Sequence, residues 1–378
     1  MSSRPTVLAS IVLALALLGD SLLYAVLPLH AATFGVSLAW VGVLLSANRV
    51  IRLFAYPFLP RIAAAGLRRF TMAAAALGGI STLAFAAGGG AWTLLASRLV
   101  WGVVFGSLSL STLAYATEWN DVAGKRVGLS LSLRELGPLA SLTLGTAAVA
   151  LAGVRPTLAA LGMISLAGVG IAARLPELPI AHNAKVPAAF RLPSPADWLS
   201  FTAGFVTDGI FPATIALLLA RSAGAGEAAI GAGLLLGFKR VAVVVLAPVS
   251  GHASDRFGER TVTATGFAIA ALGALIIGFG GVTAGALVLS CGAAVTTTTL
   301  PIAAAGRDAG QRVAALARTG MARDAGAAAG PLAALALFEA AGAGVVYSVA
   351  GTLLAAIAIA LAQKAEERQS CLSPTRVE

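Results

Sequence analysis

The sequence predicts an all-α integral membrane protein with twelve transmembrane helices arranged as two pseudo-symmetric six-helix bundles. Three observations predict it. Of 378 residues, 58% are hydrophobic and 11% charged, with a mean hydropathy of +0.90, whereas soluble domains are about half apolar and a quarter charged. The apolar residues fall into twelve runs centred near Leu17, Leu45, Ala76, Val104, Leu142, Leu166, Leu217, Val241, Ala271, Val295, Ala328 and Ala355. About 20 apolar residues cross a bilayer, and lipid leaves no water for an open backbone, so the runs are helices. Finally, features of the first half recur about 190 residues later, as a duplicated unit requires.

Span 1 holds Asp20 in its middle and stays apolar to Leu29, which marks a retained helix and not a cleaved signal peptide. Gly19-Asp20 of span 1 matches Thr207-Asp208 of span 7, Asn48-Arg49 of span 2 matches Lys239-Arg240 of span 8, and Pro57 matches Pro248. Arg134-Glu135-Leu-Gly137-Pro138 of span 5 matches Arg323-Asp324 with Gly330-Pro331 of span 11. Residues 1–175 form the first bundle and residues 196–363 the second. The polar stretch 176–195, with Pro179, Pro187 and Pro193, is a cytoplasmic linker, and 364–378 a cytoplasmic tail. Abundant Ala and Gly permit close helix contact. In span 10, Thr296 to Thr299 precede Pro301, and their hydroxyls can return to carbonyls one turn back to ease a bend.

The net charge of +10 is read through its distribution. Sixteen basic residues, from Arg4 and Arg61 to Lys364 and Arg376, fall in one set of loops and tails, and only Arg155 and Arg221 in the other. The positive-inside rule then places both termini in the cytoplasm. The chain is expected in the cytoplasmic (inner) membrane, as a monomer and with no nucleic acid as partner. Cys291 lies in a span and Cys371 in the tail, so no disulfide is expected.

Between two apolar runs stands Gly251-His-Ala-Ser-Asp255-Arg256-Phe-Gly258-Glu-Arg260. This G-x-x-x-D-R-x-G-x-R wording resembles the cytoplasmic loop motif of the major facilitator superfamily. Arg98-x-x-x-Gly102-x-x-x-Gly106 resembles that family's span-4 arginine motif, and Gly128 to Gly137-Pro138 part of its antiporter motif. The first-half loop departs from the pattern, with Pro60 where the family has Asp. The resemblance implies alternating access around a central site. It implies that Gly251, Asp255, Arg256, Gly258 and Arg260 set the conformational equilibrium, with Asp255 and the arginines bridging helix ends, and that Gly137, Pro138, Gly330 and Pro331 belong to the moving helices. By the same resemblance, the glycine-proline pairs imply export.

A charge at bilayer mid-depth costs at least about 2.5–3.5 kcal/mol, so charges there are paired or line a wet path. The bases in the spans are Arg49, Arg52, Arg98, Arg134, Lys239, Arg240, Arg318 and Arg323, and the acids Asp20, Glu135, Asp208 and Asp324. The surplus of base favours an anionic substrate. Asp20 is the first candidate for proton coupling and Asp208 the second, because a carboxyl changes its proton affinity between apolar and cation-lined surroundings. Fixed ion pairs are the alternative. Tyr24 lies one turn beyond Asp20 on its face, where it either offers the substrate an aromatic or hydroxyl contact or packs. Arg49 and Arg52 repel unless an anion lies between them. Arg98 either contacts substrate or bonds backbone carbonyls of span 1. One of Lys239 and Arg240 meets substrate. Adjacent Arg134 and Glu135, like Arg323 and Asp324, point about 100° apart, so each is expected to pair with another helix. Substrate contact and fixed interhelical bridge both stand for these four.

The chain has no phosphate-binding loop, no H-E-x-x-H and no Cys/His cluster with metal spacing, and His30, His182 and His252 are scattered. No cofactor is expected. The sequence reads as a secondary transporter of a small organic solute, energised by a proton gradient and exporting by antiport. The alternatives are uptake of an organic anion with protons and, in another class, a membrane sensor or assembly factor that moves no solute. An enzyme would need a converging nucleophile and base.

Overall fold

The computed structural model describes residues 3–27, 30–118, 122–178, 193–222, 225–306 and 311–372. These residues are helical, with no strand among them. The helices are α1 (Arg4–Val26), α2 (Leu38–Ala55), the short α3 (Leu59–Ala64), α4 (Leu67–Ala87), α5 (Ala91–Ala116), α6 (Ala123–Ala152), α7 (Val154–Ala172), α8 (Pro195–Leu219), α9 (Ala225–Phe257), α10 (Glu259–Gly278) and α11 (Val282–Ala305). A last stretch, Arg312–Leu372, breaks at Gly342 into α12 (312–341) and α13 (343–372). Gly342 has φ of 78°, a conformation that costs glycine nothing and ends α12 cleanly. The prolines Pro28, Pro179 and Pro187, together with Arg307, His182 and residues 373–378, lie outside the described residues.

Among the described residues, ten helices are long and apolar enough to cross a bilayer. The two other expected spans, near Leu45 and Ala328, fall on α2 and α12. α2 carries Arg49 and Arg52, and α12 carries Arg318, Arg323 and Asp324.

Local chemistry explains several helix starts and distortions. Ser37 caps α2 by accepting from the Trp40 N–H, and Ser194 and Asp197 form a capping box at α8, with Pro195 in the first turn. Pro138 has no N–H to donate within α6, and the turn that follows, Ser141–Gly145, is wound as a π-helix. A second π-helical segment, Gly204–Ile210, carries Thr207 and Asp208. In α11 the hydroxyls of Thr296, Thr297 and Thr298 return to the carbonyls of Ala293 and Ala294, ahead of Pro301.

Two compact units divide the chain. One comprises Met1–Asn120, Leu129–Leu192 and Ala304–Asp324, and the other Asp121–Gly128, Pro193–Ala303 and Ala325–Glu378. Helices α6 and α12 therefore contribute residues to both. The first unit is built on Leu13, Leu17, Tyr56, Trp101 and Tyr115, with a further cluster around Leu22, Phe34, Leu44 and Phe85. The second is built on Phe211, Phe267, Leu289 and Tyr347, whose hydroxyl lies 2.7 Å from Thr214 Oγ1.

Candidate functional site

In the first unit, Asp20 of α1 faces Arg98 of α5. Arg98 Nη1 donates to Asp20 Oδ1 at 2.5 Å, and Arg98 Nε donates to the carbonyl of Leu44 in α2 at 3.0 Å. The ring of Tyr24 lies 5.5 Å from the guanidinium carbon. The Tyr24 hydroxyl donates to the Leu45 carbonyl at 3.1 Å and bonds the Asn48 side chain. The carbonyl partner of Arg98 is thus on α2 and not on span 1, where it was expected. Gly102 is the reason: a Cβ there would stand 2.9 Å from the Cα of Asn48, so only glycine lets α2 come close enough to offer Leu44.

The corresponding acid of the second unit is held by a different base. Lys239 of α9 donates to Asp208 Oδ1 at 2.7 Å and to the Thr207 carbonyl at 2.5 Å. The π-helical winding displaces carbonyls from the regular ladder, and an ammonium with three donors can serve both oxygens. Arg240, the next residue, is half-buried.

A third acid, Asp324 of α12, receives Arg52 of α2 at 3.3 Å within the first unit. Tyr56, one turn beyond Arg52, is buried next to the same carboxylate, and the Arg52 guanidinium lies 4.5 Å from the Phe105 ring centre. The anion expected beside Arg49 and Arg52 is therefore present for Arg52. Half-buried Arg49 forms no ion pair among the described residues. Arg323 is half-buried on the neighbouring position.

The fourth acid corrects an expectation. Arg134 Nη2 donates to Glu135 Oε1 at 3.2 Å, so these neighbours pair with each other although their Cβ atoms diverge. A long arginine side chain can wrap back across one helical step, which the Cβ directions alone do not show. Among the described residues, each of the four acids in the spans thus holds a base.

The loop motif has its own geometry in the second unit. The Asp255 carboxylate accepts the backbone N–H groups of Gly124 at 2.8 Å and Lys125 at 2.7 Å, in the first turn of α6. An anion there satisfies orphan donors and complements the helix dipole. Gly251 packs on the backbone of Gly124, and Gly258 sits between α9 and α10. Arg256 lies over Phe257, while Arg256 and Arg260 are exposed. Gly137, ahead of Pro138, abuts the backbone of Ala14, and Gly330, ahead of Pro331, abuts Gly209.

Sequence reasoning missed Tyr56 as a site residue and left Arg52 without a partner. The i, i+4 spacing of Arg52 and Tyr56 was the available signal. No group of three metal-ligating side chains occurs among the described residues.

By sequence, the chain matches no protein-family model and no curated protein. By structure, it is similar to the human organic anion transporter MFSD10 (TETRAN), with a TM-score of 0.77, 19% identity, and coverage of 96% of this chain and 100% of that one. It is also similar to the E. coli fucose:proton symporter FucP (TM-score 0.72, 16% identity, 95% and 99% covered). The proton:xylose symporter XylE gives a TM-score of 0.75 at 14% identity, with 94% of each chain covered. At these identities the likeness is one of fold.

Proposed function

We propose, on the premise that this chain has the fold of the major facilitator superfamily, that it is a secondary active transporter that carries a small organic anion together with protons by alternating access. The observation that carries this reading is the Asp20–Arg98 pair. The acids in the spans are already neutralised by bases, so a proton added to Asp20 cancels the charge that balances Arg98. A buried cation left without its anion is strongly unfavourable, by about 3–5 kcal/mol when a buried pair is broken. A solute carboxylate restores the balance. Proton and anion therefore favour each other's binding, which is cotransport. The surplus of base over acid supports an anionic solute, as does the similarity to a transporter named for organic anions. No bound cofactor enters the scheme, and the proton gradient is the energy source. Both termini lie in the cytoplasm, on the charge distribution of the loops.

A second reading, export by antiport, is favoured by the glycine-proline pairs Gly137-Pro138 and Gly330-Pro331 and by their close packing on Ala14 and Gly209. The two readings differ in the sign of the gradient effect. Purified protein in liposomes, offered labelled aliphatic and aromatic carboxylates, is expected to accumulate one of them when the outside is acidic. Accumulation only with an acidic lumen would replace cotransport by antiport. Binding without flux under either gradient would make the protein a sensor.

A further inference from the structure

We propose that Arg52 is an anion-binding residue whose resident ligand is the carboxylate of Asp324, and that a solute carboxylate takes the place of Asp324 on the guanidinium. The identity of the exchanging anion rests on the organic-anion reading above. The exchange itself rests on geometry.

The ion pairs differ in tightness. Arg98–Asp20 and Lys239–Asp208 stand at 2.5 and 2.7 Å, whereas Arg134–Glu135 stands at 3.2 Å and Arg52 reaches Asp324 at 3.3 Å through Nη2. Charge-assisted bonds of this kind ordinarily close to about 2.7–2.9 Å. Arg52 is buried, yet its Nε has no hydrogen-bond partner. A buried donor left unmade costs about 1–3 kcal/mol, and more on a charged group. Phe105 covers one face of the guanidinium, which leaves the edge, where the N–H groups lie, to meet a ligand. A carboxylate placed side-on would use Nε and Nη2 together, in the bidentate mode that Asp324 does not reach. Arg98 also has a buried unmade N–H, at Nη2, but its side chain is only 1% exposed and is already committed to Asp20 and Leu44. In the Arg52 pair, Asp324 is the more exposed member, at 16% against 9%, so the opening lies on the carboxylate side.

Exchange has a mechanical consequence. Asp324, near the middle of α12, is a charged link between α12 and α2, so a solute that captures Arg52 releases that link. The same guanidinium would then recognise the solute and report its presence to α12.

The test is rescue of a deleted carboxylate by acetate, read as the thermal unfolding midpoint of the purified full-length protein. Asp324→Ala is expected to lower the midpoint, and sodium acetate to restore it at constant ionic strength, where sodium chloride and acetamide do not. In the double variant Arg52→Gln, Asp324→Ala the acetate response is expected to vanish. If Asp324→Ala does not accumulate, Asp324→Asn serves, with half-saturation by acetate expected at least about tenfold below that of the wild type, which must first give up its own carboxylate. An acetate effect no larger than that of acetamide, or one that persists without Arg52, overturns the proposal. Because the readout needs no flux, an acetate response in a protein that shows no gradient-driven uptake refutes the transport reading alone. Uptake without an acetate response refutes the exchange alone.

Discussion

The Lys239 ammonium lies 2.7 Å from Asp208 Oδ1 and 2.5 Å from the carbonyl oxygen of Thr207, on a turn of α8 wound as a π-helix. One side chain of α9 thus neutralises an acid and satisfies a backbone carbonyl of a distorted turn. Lys239→Met is expected to destabilise the protein by about 2 kcal/mol, below the about 3–5 kcal/mol of a fully buried pair because both side chains keep some solvent contact. Asp208→Asn added to Lys239→Met is expected to recover most of the loss. Thermal unfolding of the four proteins in a double-mutant cycle measures this, and a coupling energy near zero would show that the pair does not hold α8 and α9 together.

Asp255 acts on backbone and not on a side chain. Its carboxylate holds the N–H groups of Gly124 and Lys125, so Asp255→Ala removes both acceptors and the favourable charge at the α6 N-terminus. The expected loss is about 1 kcal/mol, or about fivefold faster hydrogen exchange at those two amides, with Asp255→Asn intermediate. Exchange rates at Gly124 and Lys125 that do not change in Asp255→Ala would remove the carboxylate from this role.

The spans were legible because lipid imposes one rule on every residue of a helix, namely that apolar side chains continue for about 20 positions. Even α2 and α12, with their charges, kept enough of that pattern to be placed. The acids of the site were legible too, since an intramembrane carboxylate stands out in any window. Their partners were not, because pairing depends on which helices cross at which depth. Asp20 and Asp208 occupy equivalent places in the repeat, yet Asp20 takes its base from α5 and Asp208 from α9. The repeat counterpart of α5 is α11, which holds no basic residue, so the second half places its base where the first half has Asn48. Arg134–Glu135 failed for a different reason: side-chain length outweighed the direction of the Cβ atoms.

Gly102 offers a test of close approach independent of charge. Any Cβ at this position meets the backbone of Asn48, so Gly102→Val must push α2 away from α5 and draw the Leu44 carbonyl from Arg98. Overpacking of this kind costs about 1–3 kcal/mol. Gly42→Val, where a Cβ meets nothing within 4 Å, is the control expected to leave the unfolding midpoint nearly unchanged. Equal midpoints for the two variants would show that α2 tolerates the displacement and that Gly102 does not set the distance.

Asp20 carries the proposed coupling, and its asparagine variant separates binding from energisation. Asparagine keeps the shape and an acceptor oxygen for Arg98 but is permanently uncharged, like the protonated acid. In the cotransport scheme this fixes the anion-accepting state, so solute binding and exchange of labelled for unlabelled solute across the membrane persist. Accumulation driven by a pH gradient requires the site to release its proton on the other side, and asparagine has none to release. Asp20→Asn is therefore expected to exchange solute within about twofold of the wild-type rate while gradient-driven uptake falls at least about tenfold, a loss equivalent to about 1.4 kcal/mol of coupling. Liposome assays of the two fluxes on one preparation measure both. Gradient-driven uptake at the wild-type level would remove Asp20 from the mechanism and leave its bond to Arg98 as a structural bridge between α1 and α5. Loss of both fluxes would show instead that the negative charge of Asp20 is needed for the solute to bind at all.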